Sequence, residues 1–184
     1  MIRLSIIIPM YNVEEYLERC IQSLENQDLD HYEYEIICIN DGSPDSSAKI
    51  IQDLQNQFKN IILINQENKG VSVARNNGID RAHGKYVLFI DPDDFIDGKS
   101  LSRVLSKAEK NNVDVSFLGF TYLQENGLPR NSLFYKNYKS DIFNGIDAFT
   151  ISRGYGSTDP DRMVGVLYNK EFLDKFQLRY LPGV

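Results

Sequence analysis

The chain has 184 residues, 42% of them hydrophobic and 25% charged, with a formal net charge of -6 and a pI near 5.0. That is the composition of a globular domain able to bury its own core. The acidic balance excludes binding to nucleic acid through bulk positive charge, which needs clustered Lys and Arg against phosphate, so the expected partner is small or neutral.

Leu4 to Pro9 is a short, β-branched apolar run, the pattern of a strand buried on both faces. Val13 to Gln27 places Val13, Tyr16, Leu17, Cys20, Ile21 and Leu24 at three- and four-residue spacing, which predicts a helix laid on a sheet. Glu35 to Asn40 predicts a second buried strand, closed by Asp41-Gly42-Ser43-Pro44; Ala48, Ile51, Leu54 and Phe58 then mark a second helix. Ile61 to Ile64 reads as a third strand, Val71 to Ala82 as a third helix opened by Gly70, and Tyr86 to Ile90 as a fourth strand ending in Asp91-Pro92-Asp93-Asp94. This alternation predicts an α/β fold, a mainly parallel sheet with helices on both faces and right-handed crossovers. Leu101 to Lys110 predicts another helix with Ser100 as N-cap, and Val113 to Leu123 is strand-like. From Gln124 to Tyr138 the pattern breaks into polar turns around Asn126-Gly127 and Pro129, followed by the aromatic and basic run Phe134 to Lys139. A short helix is expected from Ile146 to Ser152, a polar loop from Gly154 to Asp161, and a last helix from Lys170 to Phe176.

Cys20 and Cys38 lie in apolar surroundings and read as reduced core residues. No secretory signal and no run of about 20 apolar residues is present, so a cytoplasmic protein is expected, with attachment at the inner face of a membrane left open.

In an open α/β sheet the ligand site lies beyond the carboxyl ends of the strands. Those ends carry Pro9, Met10, Tyr11 and Asn12 after the first strand, Asp41 after the second, and Asp91, Asp93 and Asp94 after the fourth. Three carboxylates crowded at the mouth of a core strand are costly unless a cation neutralises them, and a hard divalent ion, Mg²⁺ or Mn²⁺, suits carboxylate and phosphate oxygens. A solvated acidic turn is the plainer reading. Asp41 could accept a hydrogen bond from a uracil imide or a ribose hydroxyl, or could simply form the turn before Gly42. Tyr11 could stack on a base or pack against the first helix. The N-H groups opening the third helix at Gly70 could bind an anion, with Lys69 and Arg75 suited to a diphosphate or to orienting Asp41; the alternative is ordinary helix-surface charge.

Ser5-Ile6-Ile7-Ile8-Pro9-Met10-Tyr11-Asn12, Asn40-Asp41-Gly42-Ser43, Asn68 to Gly78, and Phe89-Ile90-Asp91-Pro92-Asp93-Asp94 resemble, in this order, the motif blocks of family 2 glycosyltransferases. The resemblance implies a GT-A fold, a Rossmann-like sheet with an irregular C-terminal acceptor region. It implies a nucleotide-sugar donor half over 1–98 and an acceptor-side half of the same domain over 99–184. Pro9, Tyr11, Asn12, Asp41, Lys69, Arg75 and Asp91 would bind a UDP-sugar. Asp91 and Asp93 form the DXD stretch that holds Mn²⁺ or Mg²⁺. The implied reaction is transfer with inversion to a hydroxyl of a saccharide or lipid-linked saccharide, as in cell-surface polysaccharide synthesis.

The catalytic base is not identified. In relatives with this kind of C-terminal half it usually comes from a Glu-Asp pair shortly after a segment resembling Arg179 to Val184, and this chain has no such pair; Asp159 and Asp161 are the in-chain alternatives. The expectation is therefore of a longer protein, with Leu133 to Lys139 packing in a hairpin rather than on a membrane. A nucleotide-sugar-binding module without transferase activity is the competing reading. A nucleotidyltransferase or a dinucleotide-dependent dehydrogenase is disfavoured, because no Gly-rich phosphate loop follows the first strand.

Overall fold

The structure, a computed structural model, describes residues 1–118, 120–123, 129–133 and 165–183. β1 (Leu4–Met10), β2 (Tyr34–Asp41), β3 (Ile61–Gln66) and β4 (Tyr86–Phe89) are parallel, and between them run α1 (Glu14–Glu25), α2 (Ser47–Gln57) and α3 (Val71–Arg81). After α4 (Leu101–Asn111) come β5 (Val115–Phe117), β6 (Phe120–Leu123) and β7 (Pro129–Leu133), then β8 (Val166–Asn169) and α5 (Lys170–Lys175). The main sheet has the order β3-β2-β1-β4-β8-β5, with β8 antiparallel to β4. The alternation of apolar runs and amphipathic stripes thus gives the α/β layer fold expected from it.

Both faces of β1 and β2 are covered. Ile7, Ile37, Ile39, Val87 and Phe89 share one cluster with Ala74 and Ile79 of α3, while the alternate residues Ile6, Ile8, Ile36 and Cys38 are fully buried as well. Gly78 lets α3 descend onto β1, since a Cβ there would overlap the Ile7 Cγ2 methyl. At the amino edge of the sheet the buried Glu35 accepts from Ser5 Oγ (2.6 Å) and from the His83 N-H (2.7 Å), tying the α3–β4 connection to the strands.

Helix starts are capped from a distance more than locally. Asp45 accepts from the N-H groups of both Glu14 (3.0 Å) and Ser47 (3.0 Å), so one carboxylate serves the first turns of α1 and α2. Ser100 precedes α4 as expected but makes no side-chain cap bond; Asp28, before β2, accepts from the Ser102 N-H at 3.0 Å instead.

The structure departs from the sequence reading in three places. The strand-like stretch Val113 to Leu123 divides: β5 joins the main sheet, whereas β6 pairs with β7 in a two-stranded antiparallel ribbon that has an irregularity between Thr121 and Tyr122. Pro129, read as a turn residue, begins β7, where a missing N-H is tolerated. β8 was not foreseen, because four residues are too few to show periodicity. The expected helix Ile146–Ser152, the loop Gly154–Asp161 and the run Phe134–Lys139 lie outside the described residues. The chain forms two compact units, Met1–Ser116 with Leu167–Val184, and Phe117–Val166. Among the described residues no helix is long and apolar enough to cross a membrane.

Candidate functional site

In the order β2-β1-β4 the chain leaves β1 in one direction for β2 and reaches β4 on its other side, so the carboxyl ends of β1 and β4 flank the switch point at which open α/β sheets bind ligands. Tyr11 and Asn12 follow β1 there, and Asp91 follows β4. β4 pairing stops at Phe89 opposite Ile7, and the Ile90 N-H still reaches the Ile7 carbonyl (3.1 Å). Two residues on, Pro9 turns its missing N-H toward the side that β4 has left, so an imino acid in a central strand costs no ladder bond. Pro9 is buried inside β1, so its ring is not offered at the edge as a binding surface.

Beyond Pro9 the turn is built by side chains of the β2–α2 loop. Asn12 sits in the left-handed region (φ 56°), and its N-H donates to Ser43 Oγ at 2.7 Å. Ser43 is itself held by Asn40 Oδ1 on its N-H (3.0 Å) and donates its hydroxyl to Asp45. The result leaves the Tyr11 ring 51% exposed at the mouth of the site.

Asp41, only 3% exposed, ends β2 and accepts three bonds: Gln66 Nε2 (2.7 Å) and the Lys69 N-H (2.8 Å) on Oδ1, and the Gly70 N-H (2.9 Å) on Oδ2. The donors that lead into α3 and were considered for an external anion are thus partly satisfied by the protein's own carboxylate. Lys69 contributes its main chain to this anchor while its side chain stays exposed. One acceptor position on Oδ2 remains for a ligand donor.

Arg75 does not orient Asp41, as one sequence reading had it; its Nη2 donates to Asp91 Oδ1 at 2.8 Å, with the side chains 12% and 32% exposed. Part of the neutralisation assigned to a metal is therefore supplied by a protein cation. The Asp93 carboxylate is exposed. Acidity of this edge is felt at Cys20, whose thiol is pushed up to about 12, by burial first and then by the fields of Asp94, Asp93 and Asp91. Both cysteines are buried and free, as expected.

The segment that follows the acidic residues, Phe95 to Ser100, is strapped to α1 and its C-terminal extension. Arg19 lies over the Phe95 ring at 3.8 Å, Ser23 Oγ accepts from the Ile96 N-H (3.1 Å), and the Gln27 amide both donates to the Gly98 carbonyl (2.7 Å) and accepts from the Ser100 N-H (3.2 Å). Gln27 is 8% exposed, and its amide pairs with the loop as a neighbouring strand would. These positions escaped the sequence reading; a polar amide three residues past Leu24, in step with the apolar stripe of α1, was the available signal.

Among the described residues no group of three or more His, Cys, Asp or Glu forms a ready metal cage. The donor set nevertheless fits Mg²⁺ or Mn²⁺: Asp91 Oδ2 and the Asp93 carboxylate are hard oxygens, and such ions take one or two carboxylates and complete their shell with phosphate oxygens and water. Asp159 and Asp161, the candidates for a base, lie outside the described residues.

The profile of "Glycosyl transferase family 2" matches residues 5–158. The chain is 45% identical over 116 residues to the uncharacterized glycosyltransferase EpsJ of Bacillus subtilis, covering 63% of this chain and 33% of that protein. It is 32% identical over 151 residues to the poly(ribitol-phosphate) beta-glucosyltransferase of Bacillus spizizenii, covering 81% of this chain and 24% of that one. Among solved structures, Staphylococcus aureus TarS in complex with UDP-GlcNAc superposes with a TM-score of 0.77 at 24% identity, over 98% of this chain and 49% of that one. The mannosyltransferase PcManGT of Pyrobaculum calidifontis in complex with GDP-Man and Mn²⁺ gives 0.69 at 15% identity, over 95% and 46%. At these identities the structural likeness is one of fold, and the chain spans half or less of each of these relatives. The family match runs over most of the chain and through every strand end that builds the site; the chain belongs to glycosyl transferase family 2 and has its GT-A fold.

Proposed function

We propose that this chain is the donor-binding part of an inverting glycosyltransferase that takes a UDP-sugar with Mn²⁺ or Mg²⁺. The observation that carries the reading is the acid loop: Asp91, paired with Arg75, and Asp93 follow β4 at the sheet's switch point, and the segment just after them is held down by Ser23 of α1 and by Gln27 beyond it. An acidic loop that served solubility alone would need no such support.

In this reading the half-exposed Tyr11 ring stacks on the base, with Asn12 and the end of Pro9 setting the turn that carries it. Asp41 holds the entry to α3 and offers its remaining Oδ2 position to the uracil imide N-H. Lys69 and Arg75 balance the diphosphate, and Arg75 keeps Asp91 aimed at the ribose and metal. Asp93, with Asp91 Oδ2, would hold the cation. When bound, the ion supplies positive charge against the departing diphosphate. The acceptor hydroxyl oxygen forms a bond to C1 from the face opposite the diphosphate, the bond from C1 to the diphosphate oxygen breaks with its electron pair leaving on the diphosphate, and the hydroxyl proton passes to a base. Residues 1–98 supply the donor half and 99–184 the acceptor side, with Asp159 and Asp161 the in-chain candidates for the base. The acceptor is a saccharide or lipid-linked saccharide of a cell-surface polymer, which would place the protein in the cytoplasm, in peripheral contact with the inner face of the membrane. Names of similar proteins, a polyribitol-phosphate glucosyltransferase among them, support the polymer class.

Calorimetry with UDP, GDP and ADP in the presence of Mn²⁺ tests this on the parent and on Asp93→Asn. UDP is expected to bind best, and Asp93→Asn to lose most Mn²⁺-dependent affinity with an unchanged circular dichroism spectrum. Equal affinity for the three nucleotides would remove the uracil assignment, and unaltered UDP binding by Asp93→Asn would remove the metal assignment.

A further inference from the structure

The segment after α5 is stitched to α3. Asn76 and Asp80 stand one turn apart on that helix. The Asn76 amide donates to the Tyr180 carbonyl and accepts from the Tyr180 N-H, both at 2.9 Å, and so grips the backbone of that residue as a strand would. Arg179 donates to Asp80 Oδ1 from Nε (3.2 Å) and Nη2 (3.0 Å), and Nη2 also reaches Asp174 Oδ1 (2.9 Å). The Leu178 N-H closes on the Leu173 carbonyl at 2.8 Å.

These bonds place the Tyr180 ring. It meets Phe89, the last residue of β4, edge-on at 5.3 Å between centroids, and its centroid lies 5.2 Å from the Arg75 guanidinium carbon. Among the described residues Arg75 makes one hydrogen bond, from Nη2 to Asp91, and its buried Nε has no partner. A planar fork held by one tooth can swivel, and a long side chain so held keeps much of its rotamer freedom. The aromatic face beside the guanidinium removes that freedom.

We propose that Tyr180 is a positioning residue of the donor site, holding Arg75, and through it Asp91, in the orientation that receives the nucleotide, with Asn76 setting the position of Tyr180. The proposal rests on the donor-site reading above. It is the ring that acts. Tyr180 Oη is buried and has no hydrogen-bond partner among the described residues, so replacing Tyr by Phe discards no bond there. If the ring served only to pack against Phe89, its loss would weaken the protein to the same degree whatever stood at position 75. A ring that acts through Arg75 matters only while Arg75 is present.

The experiment is a double-mutant cycle on UDP affinity with Mn²⁺, using the parent, Tyr180→Leu, Arg75→Met and the double variant, with Tyr180→Phe as the conservative rescue. Tyr180→Leu is expected to weaken UDP binding about tenfold in the parent background and by less than about twofold beside Arg75→Met, and Tyr180→Phe to stay within about twofold of the parent. Equal weakening in both backgrounds, or none in the parent, would overturn the proposal. A second measurement needs no nucleotide: the Arg75 side-chain Nε-H resonance in the free protein, expected rigid in the parent and in Tyr180→Phe and mobile in Tyr180→Leu. Failure of the parent to bind UDP while this resonance behaves as stated would sink the donor reading and keep the positioning role. An Nε-H equally rigid in Tyr180→Leu would sink the positioning role by itself.

Discussion

Replacing Asp41 by Asn should destabilise the ligand-free protein severely, although the two side chains have the same shape. The carboxylate is 3% exposed and takes three donors, two of them main-chain N-H groups. Asn can place its carbonyl oxygen at the Oδ1 position and keep Gln66 and Lys69, but its NH₂ then faces the Gly70 N-H, donor against donor. The alternative flip loses two bonds instead of one. In the better orientation the N-H of the exposed Gly70 loses a charge-assisted bond, at about 1.5–3 kcal/mol, and the two remaining bonds fall from charge-assisted to neutral, at roughly 0.5–1 kcal/mol each. The total is about 2.5–5 kcal/mol, a large share of the roughly 5–15 kcal/mol that holds a domain together. Urea unfolding of the free protein should show it as a fall in the midpoint of about 1–2 M at constant slope. If the midpoint moves by less than about 0.3 M while UDP binding is lost, Asp41 serves only the ligand, and the anchoring of the α3 entry has been misread.

Gly78→Ala should cost about 1–3 kcal/mol by overpacking against Ile7, outweighing the roughly 1 kcal/mol that Ala brings to a helix interior, and a midpoint equal to or above the parent's would show that α3 and β1 do not approach so closely. Burial works to raise the Asp45 carboxyl, but the Ser43 and Ser47 side chains and the Glu14 and Ser47 N-H groups outweigh it and hold the group well below the usual carboxylate range. Its folded pKa is therefore depressed, so its contribution is present above the unfolded value near pH 4 and lost as pH falls through the folded one. Asp45→Asn should flatten the acid limb of a stability-against-pH curve below about pH 4; an unchanged acid limb would refute the capping role.

The parallel core was legible because strands buried on both faces read as nearly continuous apolar runs, as Leu4 to Pro9 and the Ile36 to Ile39 centre of β2 do. β8 was not, because its place beside β4 is decided by pairing across 79 residues, Leu88 with Leu167, and not by its own four residues. The caps show the same limit. Asp45 and Asp28 are ordinary loop residues until the fold brings Glu14 and Ser102 to them.

The partner of Arg75 makes the point in the site itself. Sequence alone offered Asp41 and the diphosphate equally. What decides between the two aspartates is the path of α3. Its entry is pinned at β2, where Asp41 takes the Lys69 and Gly70 N-H groups. Arg75 lies five residues further on, about 7–8 Å along the axis at 1.5 Å per residue. β2 and β4 stand on either side of β1, roughly 10 Å apart at the usual strand spacing. A helix anchored at β2 and packed closely on β1 through Gly78 thus carries Arg75 toward the end of β4, where its Nη2 bonds Asp91. That bond gives Arg75 a protein partner other than Asp41 and is, among the described residues, its one hydrogen bond, which is why the Tyr180 ring beside it is proposed above to fix its plane.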